Sequence, residues 1–292
     1  SKAVETEVFG GAVGSQRNNQ VEINFETVPD ASYITTTTSG GGSIAASGGH
    51  TSFSTGTATT ALAKAVSVKS TTYRPGNEVY AYFTAAFTTP TNANSYQRVG
   101  LYDSANGFYV GYNGTSFGIT KRTGGVDTFS AINGDPLNGS ASSKFTRNGS
   151  PEAINLTYSN IFRIRFGWLG SGNVYFEVFS PDAKWVLFHE IKQPNTSLNP
   201  SVQDPNLNMT CEVSKTSSDA TNLRIWTGCW AAGTASNYAK ITDTLDDNSL
   251  ANQTRSVIAG RSSTGGGTYY NAKVTPSGSL VTSLGDITDV DG

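Results

Sequence analysis

Charge is scarce in this chain: of its 292 residues only 14% are Asp, Glu, Lys or Arg, against about 25% in ordinary soluble domains. Twenty basic and 22 acidic residues leave a net charge of −2. No Lys/Arg cluster is placed to neutralise a row of phosphates, so no nucleic-acid partner is expected. Long apolar runs are missing as well. Nothing approaches the roughly 18–20 residues of a membrane helix, and a soluble chain with no membrane partner is expected. Cysteine and histidine occur twice each. His50 in SGGHTSF and His189 in WVLFHEIK have no second His or Cys at ligand spacing, so neither a metal nor a cofactor is expected. Helical periodicity is absent too. The first residues, SKAVETEVFGGAVG, lack the basic-then-apolar order of a signal peptide, which leaves a removed signal or a clipped initiator Met equally open.

What is present is Ser, Thr, Asn, 32 glycines, and a hydrophobic fraction of 36% with 11% aromatic residues. β-branched and aromatic residues pack on pleated sheets, and Gly and Asn supply the positive φ of tight turns. Alternation of apolar and polar residues predicts strands over 20–28, 77–89, 99–102, 108–112, 117–120, 162–168, 173–179, 185–190, 207–213 and 223–230. Between the first of these strands and residue 70 the Thr/Ser/Gly tract predicts two or three further short strands, anchored by Ile34, Ile44, Phe53 and Leu62. The Asn-Gly pair in VGYNGTSFG predicts a type I′ hairpin turn with positive φ at both central residues. Residues 124–159 read as a long polar loop. The expected fold is all-β, an antiparallel two-sheet β-sandwich of jelly-roll or concanavalin-like type, with a small C-terminal β-hairpin extension. The expected organisation is an N-terminal arm (1–17), the sandwich (18–234), and an extension (235–292) with TPSG as its hairpin turn and an acidic tail.

Each candidate for chemistry has a simpler reading. GTSFG matches G-x-S-x-G around Ser116, but that motif needs a strand-to-helix turn with a later acid and histidine. Glu177 and Glu190 lie on adjacent predicted strands, yet the spaced acidic cluster of sandwich glycosidases is absent. Asp286, Asp289 and Asp291 have calcium-loop character without calcium-loop spacing. His189 reads as a half-buried strand residue on the same face as Trp185. The Asn-x-Ser/Thr sites at Asn113, Asn138 and Asn195 follow from composition. Cys211 and Cys229 flank KTSSDAT on neighbouring predicted strands; two buried free thiols are the simpler expectation, and a bridge across the ladder stays open. No catalytic residues are assigned and no enzyme is expected.

The aromatic residues remain. Most of Tyr102, Phe108, Tyr109, Tyr112, Phe117, Trp168, Tyr175, Trp185, Trp226 and Trp230 are expected in the core. Tyr109 and Tyr112, with Asn113 at the turn, are the expected exposed contacts for a glycan or partner.

The run LYDSANGFYVGYNGTSFGI, the segment FRIRFGWLGSGNVYFEVFSPDAKWVLFHEIK and the late SVIAGRSSTGGGTYYNAKVTPSGSLVTS resemble modules of structural proteins in tailed bacteriophages and large DNA viruses, over residues 20–285. That resemblance implies a non-enzymatic virion component: a capsid-decorating (cement) or fibre subunit, or a tail protein. Other virion proteins are the expected partners; burying sheet edges and the small appendage points to a homo-oligomer, with a trimer expected, and the hairpin turns are the expected contact for a neighbour or a host-surface glycan. The alternative is a tail receptor-binding or secreted, lectin-like carbohydrate-binding module.

Overall fold

A computed structural model describes residues 16–132, 137–216, 221–236, 259–261 and 269–271. The chain divides into two units, Ser1–Ala239 and Lys240–Gly292. Every strand pairing between described residues is antiparallel, and a single 3₁₀ turn is the one helical element among them. The first sheet contains β1 (Gln16–Asn24), β3 (Ser43–Ser47), β4 (His50–Ser54), β6 (Glu78–Phe87), β13 (Asn160–Gly167), β14 (Val174–Phe179), β15 (Trp185–Ile191), β17 (Arg224–Thr227) and β18 (Cys229–Ser236). The second contains β2 (Ile34–Gly40), β5 (Ala61–Ser70), β7 (Ser95–Tyr102), β8 (Gly107–Asn113), β9 (Ser116–Thr123), β10 (Val126–Ala131) and β16 (Asn208–Lys215), in the order β10-β9-β8-β7-β16-β5-β2. This is the two-sheet antiparallel sandwich that the alternation predicts.

Aromatic rings hold the two sheets face to face. Phe108 of β8 packs on Phe166 of β13 at 5.0 Å between centroids and on Phe176 of β14 at 6.3 Å. Phe117 of β9 meets Phe87 of β6 at 5.8 Å and Phe162 of β13 at 6.3 Å. Each of these rings sits at an inward position of its strand, and Phe87, Phe108, Phe162, Phe166 and Phe176 are fully buried. Aromatic edge-to-face contacts of this kind add about 0.5–1.5 kcal/mol beyond the burial of their area.

Strand β6 is shared between two neighbours. Its first half pairs with β18, from Glu78↔Ala235 to Phe83↔Trp230, and its last residues pair with β17. The stretch RIWTGCWAAG, expected as one strand to residue 230, therefore breaks at Gly228. Thr84 of β6 makes the break: its hydroxyl accepts the Gly228 and Cys229 N–H groups at 2.6 and 3.1 Å, and its carbonyl accepts the Thr227 hydroxyl at 2.7 Å.

Several local expectations change. The first strand runs over Gln16–Asn24 and ends before Phe25, whose side chain drops into the core. The Thr/Ser/Gly tract holds four strands, β2 to β5, and in β5 the inward residues are Ala61, Ala63 and Ala65, so Leu62 faces outward and anchors nothing. Residues 124–159 are not one long loop. They supply β10 and a small pair, β11 (Thr146–Arg147) with β12 (Ser150–Pro151), and bury Leu137 and Phe145 in the core. The β8–β9 turn is centred on Gly114 and Thr115, between the paired Asn113 and Ser116 and not on the Asn-Gly pair; Gly114 takes positive φ and Thr115 does not, so the turn is not type I′. Cys211 is buried on β16 and Cys229 is exposed on β18, in different sheets, and both thiols are free. In the second unit β19 (Ala259–Arg261) pairs with β20 (Tyr269–Asn271). The arm before residue 16, the TPSG turn and the three C-terminal aspartates lie outside the described residues.

Gly111 sits opposite Arg98 and Gly118 with φ +151°, and a Cβ placed there would lie 1.8 Å from the Gln97 carbonyl oxygen. Gly149 also has positive φ but faces open space. Gly111→Ala is expected to lower stability by about 3 kcal/mol or more, and Gly149→Ala by only about 1 kcal/mol. Urea unfolding midpoints of the two variants check the contrast.

Candidate functional site

Strand period two places Phe108, Val110 and Tyr112 on one face of β8 and Tyr109 on the other. The first face is the core. Tyr112 is accordingly 8% exposed, packed against Phe87 and Phe117, which corrects its expected exposure. Tyr109 does point outward, yet it is only 2% exposed. Its hydroxyl donates to Asp127 at 2.7 Å and its ring lies between Tyr102 and the Arg98 and Arg122 guanidiniums. Arg122 grips Asp127 through Nε and Nη2 at 2.6 and 3.0 Å. Burial works to raise the Asp127 pKa, but the hydrogen bonds from Arg122 and Tyr109 outweigh it and hold the carboxyl below its ordinary range. Asn113 is exposed at the turn. The three residues thus do not form one surface: one is core, one is locked in a polar mat, one faces solvent.

The same sheet extends this mat. Lys64, Glu212, Arg98 and Gly111 lie in register across β5, β16, β7 and β8. Tyr96 and Tyr102 both donate to the Glu212 carboxylate, at 2.7 and 3.4 Å, and Arg98 stacks 3.8 Å over Tyr96.

The first sheet carries a second mat on its outer face. Arg163 grips Glu177 through Nε and Nη2 at 2.7 and 2.8 Å, and Arg165 reaches the same carboxylate at 2.8 Å and Glu78 at 3.1 Å. Arg163 also lies 4.2 Å from the centre of the Trp185 ring. Burial disfavours the ionised form of Glu177, but the two guanidiniums outweigh it and depress its pKa. Such a carboxylate is a poor proton donor. Glu190 is engaged elsewhere, accepting from Asn173 at 2.7 Å. His189 is half-buried, but it does not share a face with Trp185: a bulge at Phe188 sets it opposite the core residue Phe176, with the rings 6.0 Å apart, while Trp185 lies on the outer face against Arg163 and Tyr82. Burial lowers the His189 pKa. Ser116 opens β9 at a hairpin turn, not at the start of a helix.

A cleft of about 420 Å³ opens where the β1 edge meets the end of β5. Asn19, Gln20, Glu22, Ser32, Tyr33 and Lys69 line it. A bulge in β1 between Asn19 and Val21 adds Gln20 to the strand without a partner in the ladder, and its side-chain oxygen accepts the Thr72 N–H at 2.6 Å. Bulges at sheet edges re-aim side chains in this way. Asn19 donates to Glu22 and accepts the Tyr80 hydroxyl at 2.5 Å, so the amide and carboxylate are held in place before any ligand arrives. Tyr33 is 58% exposed, fixed through its backbone by the Val68 N–H at 2.8 Å. Sequence reading misses Tyr33 because it lies in a turn with no periodicity to assign its facing.

No family model matches the chain, and no curated protein does. Among solved structures, one from work on endo-acting O-glycanases of the human gut microbiota is similar at 10% identity and a TM-score of 0.47, over 74% of this chain and 98% of that one. The legume lectin-like domain from Entamoeba histolytica is similar at 10% identity and TM-score 0.45, over 72% and 95%. The binding domain of botulinum neurotoxin serotype D/C is similar at 12% identity and TM-score 0.43, over 80% of this chain but about half (52%) of that one. At these identities and scores the likenesses carry no argument about a ligand.

Burial, opposed by the two arginines, pushes the Glu78 pKa from 4.5 up to about 7. Folded Glu78 therefore holds a proton between pH 4.5 and about 7 that the unfolded chain has released, and stability falls as pH rises through that window. Glu177 has the opposite sign: its contribution is present above 4.5 and is lost as pH falls through its depressed folded value. Glu78→Gln is expected to remove the decline between pH 4.5 and 7, a difference of at most about 3 kcal/mol. Urea titrations of both proteins across that range test it.

Proposed function

We propose that this chain is a non-enzymatic carbohydrate-binding module whose ligand sits in the β1-edge cleft. The observation that carries the proposal is the exposed Tyr33 ring bordering a cleft lined by an amide pair, a carboxylate, a hydroxyl and a lysine. A pyranose has an apolar C–H face and a rim of hydroxyls. An exposed aromatic ring suits the first, and the Asn19, Glu22 and Lys69 groups suit the second. The cleft falls within the roughly 300–1,000 Å³ of small-molecule sites, and the bulge at Gln20 keeps its wall from closing into regular sheet.

The non-enzymatic part of the reading rests on Glu177. The strand pair that would supply two acids instead neutralises one of them with two arginines. No feature of the geometry bears on assembly into a particle, so the proposal includes neither the virion role nor the expected trimer.

A glycan array probed with the intact chain is expected to give a restricted set of hits, and Tyr33→Ala is expected to lower affinity for them about tenfold with an unchanged melting temperature. An array without hits, or hits indifferent to Tyr33→Ala, overturns the assignment of this cleft.

A further inference from the structure

One end of the sandwich collects loops that the proposed glycan cleft does not use. The long β15–β16 connection runs across this end and ties its neighbours together. Val202 donates its N–H to the Leu169 carbonyl at the β13–β14 tip (3.0 Å), and the Ser201 carbonyl accepts the Thr123 hydroxyl at the β9–β10 turn (2.6 Å). Gln203 donates its N–H to Asn106 of the β7–β8 turn at 3.1 Å, and Gly125 donates to Ala105 at 2.8 Å. The end is therefore one fixed platform.

Three of its projections are large apolar side chains held out of the protein. Leu198 is 100% exposed, Val126 68% and Trp168 46%. Trp168 and Leu169 both lie in the left-handed region, at φ +52° and +57°, followed by Gly170 at +68°. That conformation is costly for bulky residues and persists only where the surroundings enforce it. Here the Val202 N–H binds the Leu169 carbonyl, and Gly170 packs so closely on Ser201 that a Cβ would lie 2.8 Å from the serine Cβ. The strained turn is held with nearly half of the indole left to solvent.

Between Val126 and the 192–200 segment lies a second cleft of about 270 Å³, lined by Lys121, Thr123, Thr128, Gln193, Ser197 and Asn199. A cation, hydroxyls and amides are what a phosphate-bearing headgroup recognises. Apolar tips beside it match the acyl boundary of a bilayer, where Trp in particular is favoured. The missing apolar run excludes a spanning helix and says nothing against a fold that rests on a membrane surface.

We infer that this end of the sandwich docks on an anionic phospholipid bilayer, with Trp168, Val126 and Leu198 entering the interface and the Lys121 cleft taking a headgroup. The site is distinct from the Tyr33 cleft and does not depend on that reading. A protein partner is the other class of occupant, and it would need a continuous surface where this end offers separate projections.

Co-sedimentation of the full chain with glycan-free vesicles tests it, using phosphatidylcholine alone and phosphatidylcholine mixed with phosphatidylserine. Binding to the mixed vesicles is expected, with a blue shift in tryptophan emission. Leu198→Ser and Trp168→Ser should each weaken binding about tenfold, while Lys121→Gln should erase most of the preference for anionic vesicles and Tyr33→Ala should change nothing. The Leu198 side chain is fully exposed and its loss leaves the core intact, so its variant stays informative if Trp168→Ser misfolds. No sedimentation with either vesicle, or Leu198 and Trp168 variants that sediment as the parent chain does, overturns the inference. Binding abolished by soluble glycerophosphoserine but unaffected by Leu198→Ser would also overturn it, because that would leave a headgroup pocket without bilayer insertion.

Discussion

The aromatic seam between the sheets is the constraint from which the rest follows. Phe108, Phe117, Phe162, Phe166 and Phe176 come from four strands of the two sheets and meet as tilted or edge-on rings. Their size fixes how far apart the sheets stand, and their alternation fixes which residues must point outward. A one-residue slip in β8 would carry Phe108, Val110 and Tyr112 to the surface and bring Tyr109 inside, so register and facing are determined together. Gly111 shows how tightly this is set: β8 lies so close to β7 that a single methyl group would meet the Gln97 carbonyl.

With the inner faces filled by rings, the outer faces are filled by ion pairs laid over rings. On one sheet Arg98 and Arg122 lie against Tyr96, Tyr102 and Tyr109, and on the other Arg163 and Arg165 lie against Tyr82, Trp185 and Tyr175. This explains why so few charges suffice in a chain of this length: those on the two mats act in shared networks, where one carboxylate such as Glu177 serves two guanidiniums. Removing one partner of such a network leaves a buried charge uncompensated, which costs more than the pair contributes when intact. Glu78 is the weak member. It is buried beside Arg165 but shares that arginine with Glu177, and its raised pKa reflects the incomplete compensation.

The strands of this fold were legible because alternation is a local property, and β6, β8, β13, β14 and β15 carry it clearly. What was not legible depends on neighbours that sequence does not name. Leu62 looks like an anchor, but the small inward surface of β5 requires Ala61, Ala63 and Ala65 there instead. RIWTGCWAAG looks continuous, but Thr84 on a distant strand divides it at Gly228. The two cysteines look adjacent because their strands follow one another, and yet those strands join different sheets. For the candidate site, the opposite facing of Tyr109 and Phe108 was readable, whereas its enclosure by two arginines from β7 and β9 was not. Trp168 read as the last residue of a strand because only the three-dimensional tie between Leu169 and Val202 shows that the strand stops at Gly167.

A sandwich committed in this way has few places left to meet a ligand. Its inner faces are closed by the seam, and on its outer faces the aromatic rings and charged groups already satisfy one another; a ligand there would have to break an ion pair before gaining a contact. Edges and loop ends carry no such obligation. At the β1 edge the bulge frees Gln20 from the ladder and Tyr33 stands exposed. At the loop end the β15–β16 connection holds Trp168 and Leu198 outward against the preference of apolar side chains for burial. The left-handed backbone at Trp168 is strained and is held by its surroundings. Among the described residues, the β1 edge and the loop end are where the two proposals place recognition.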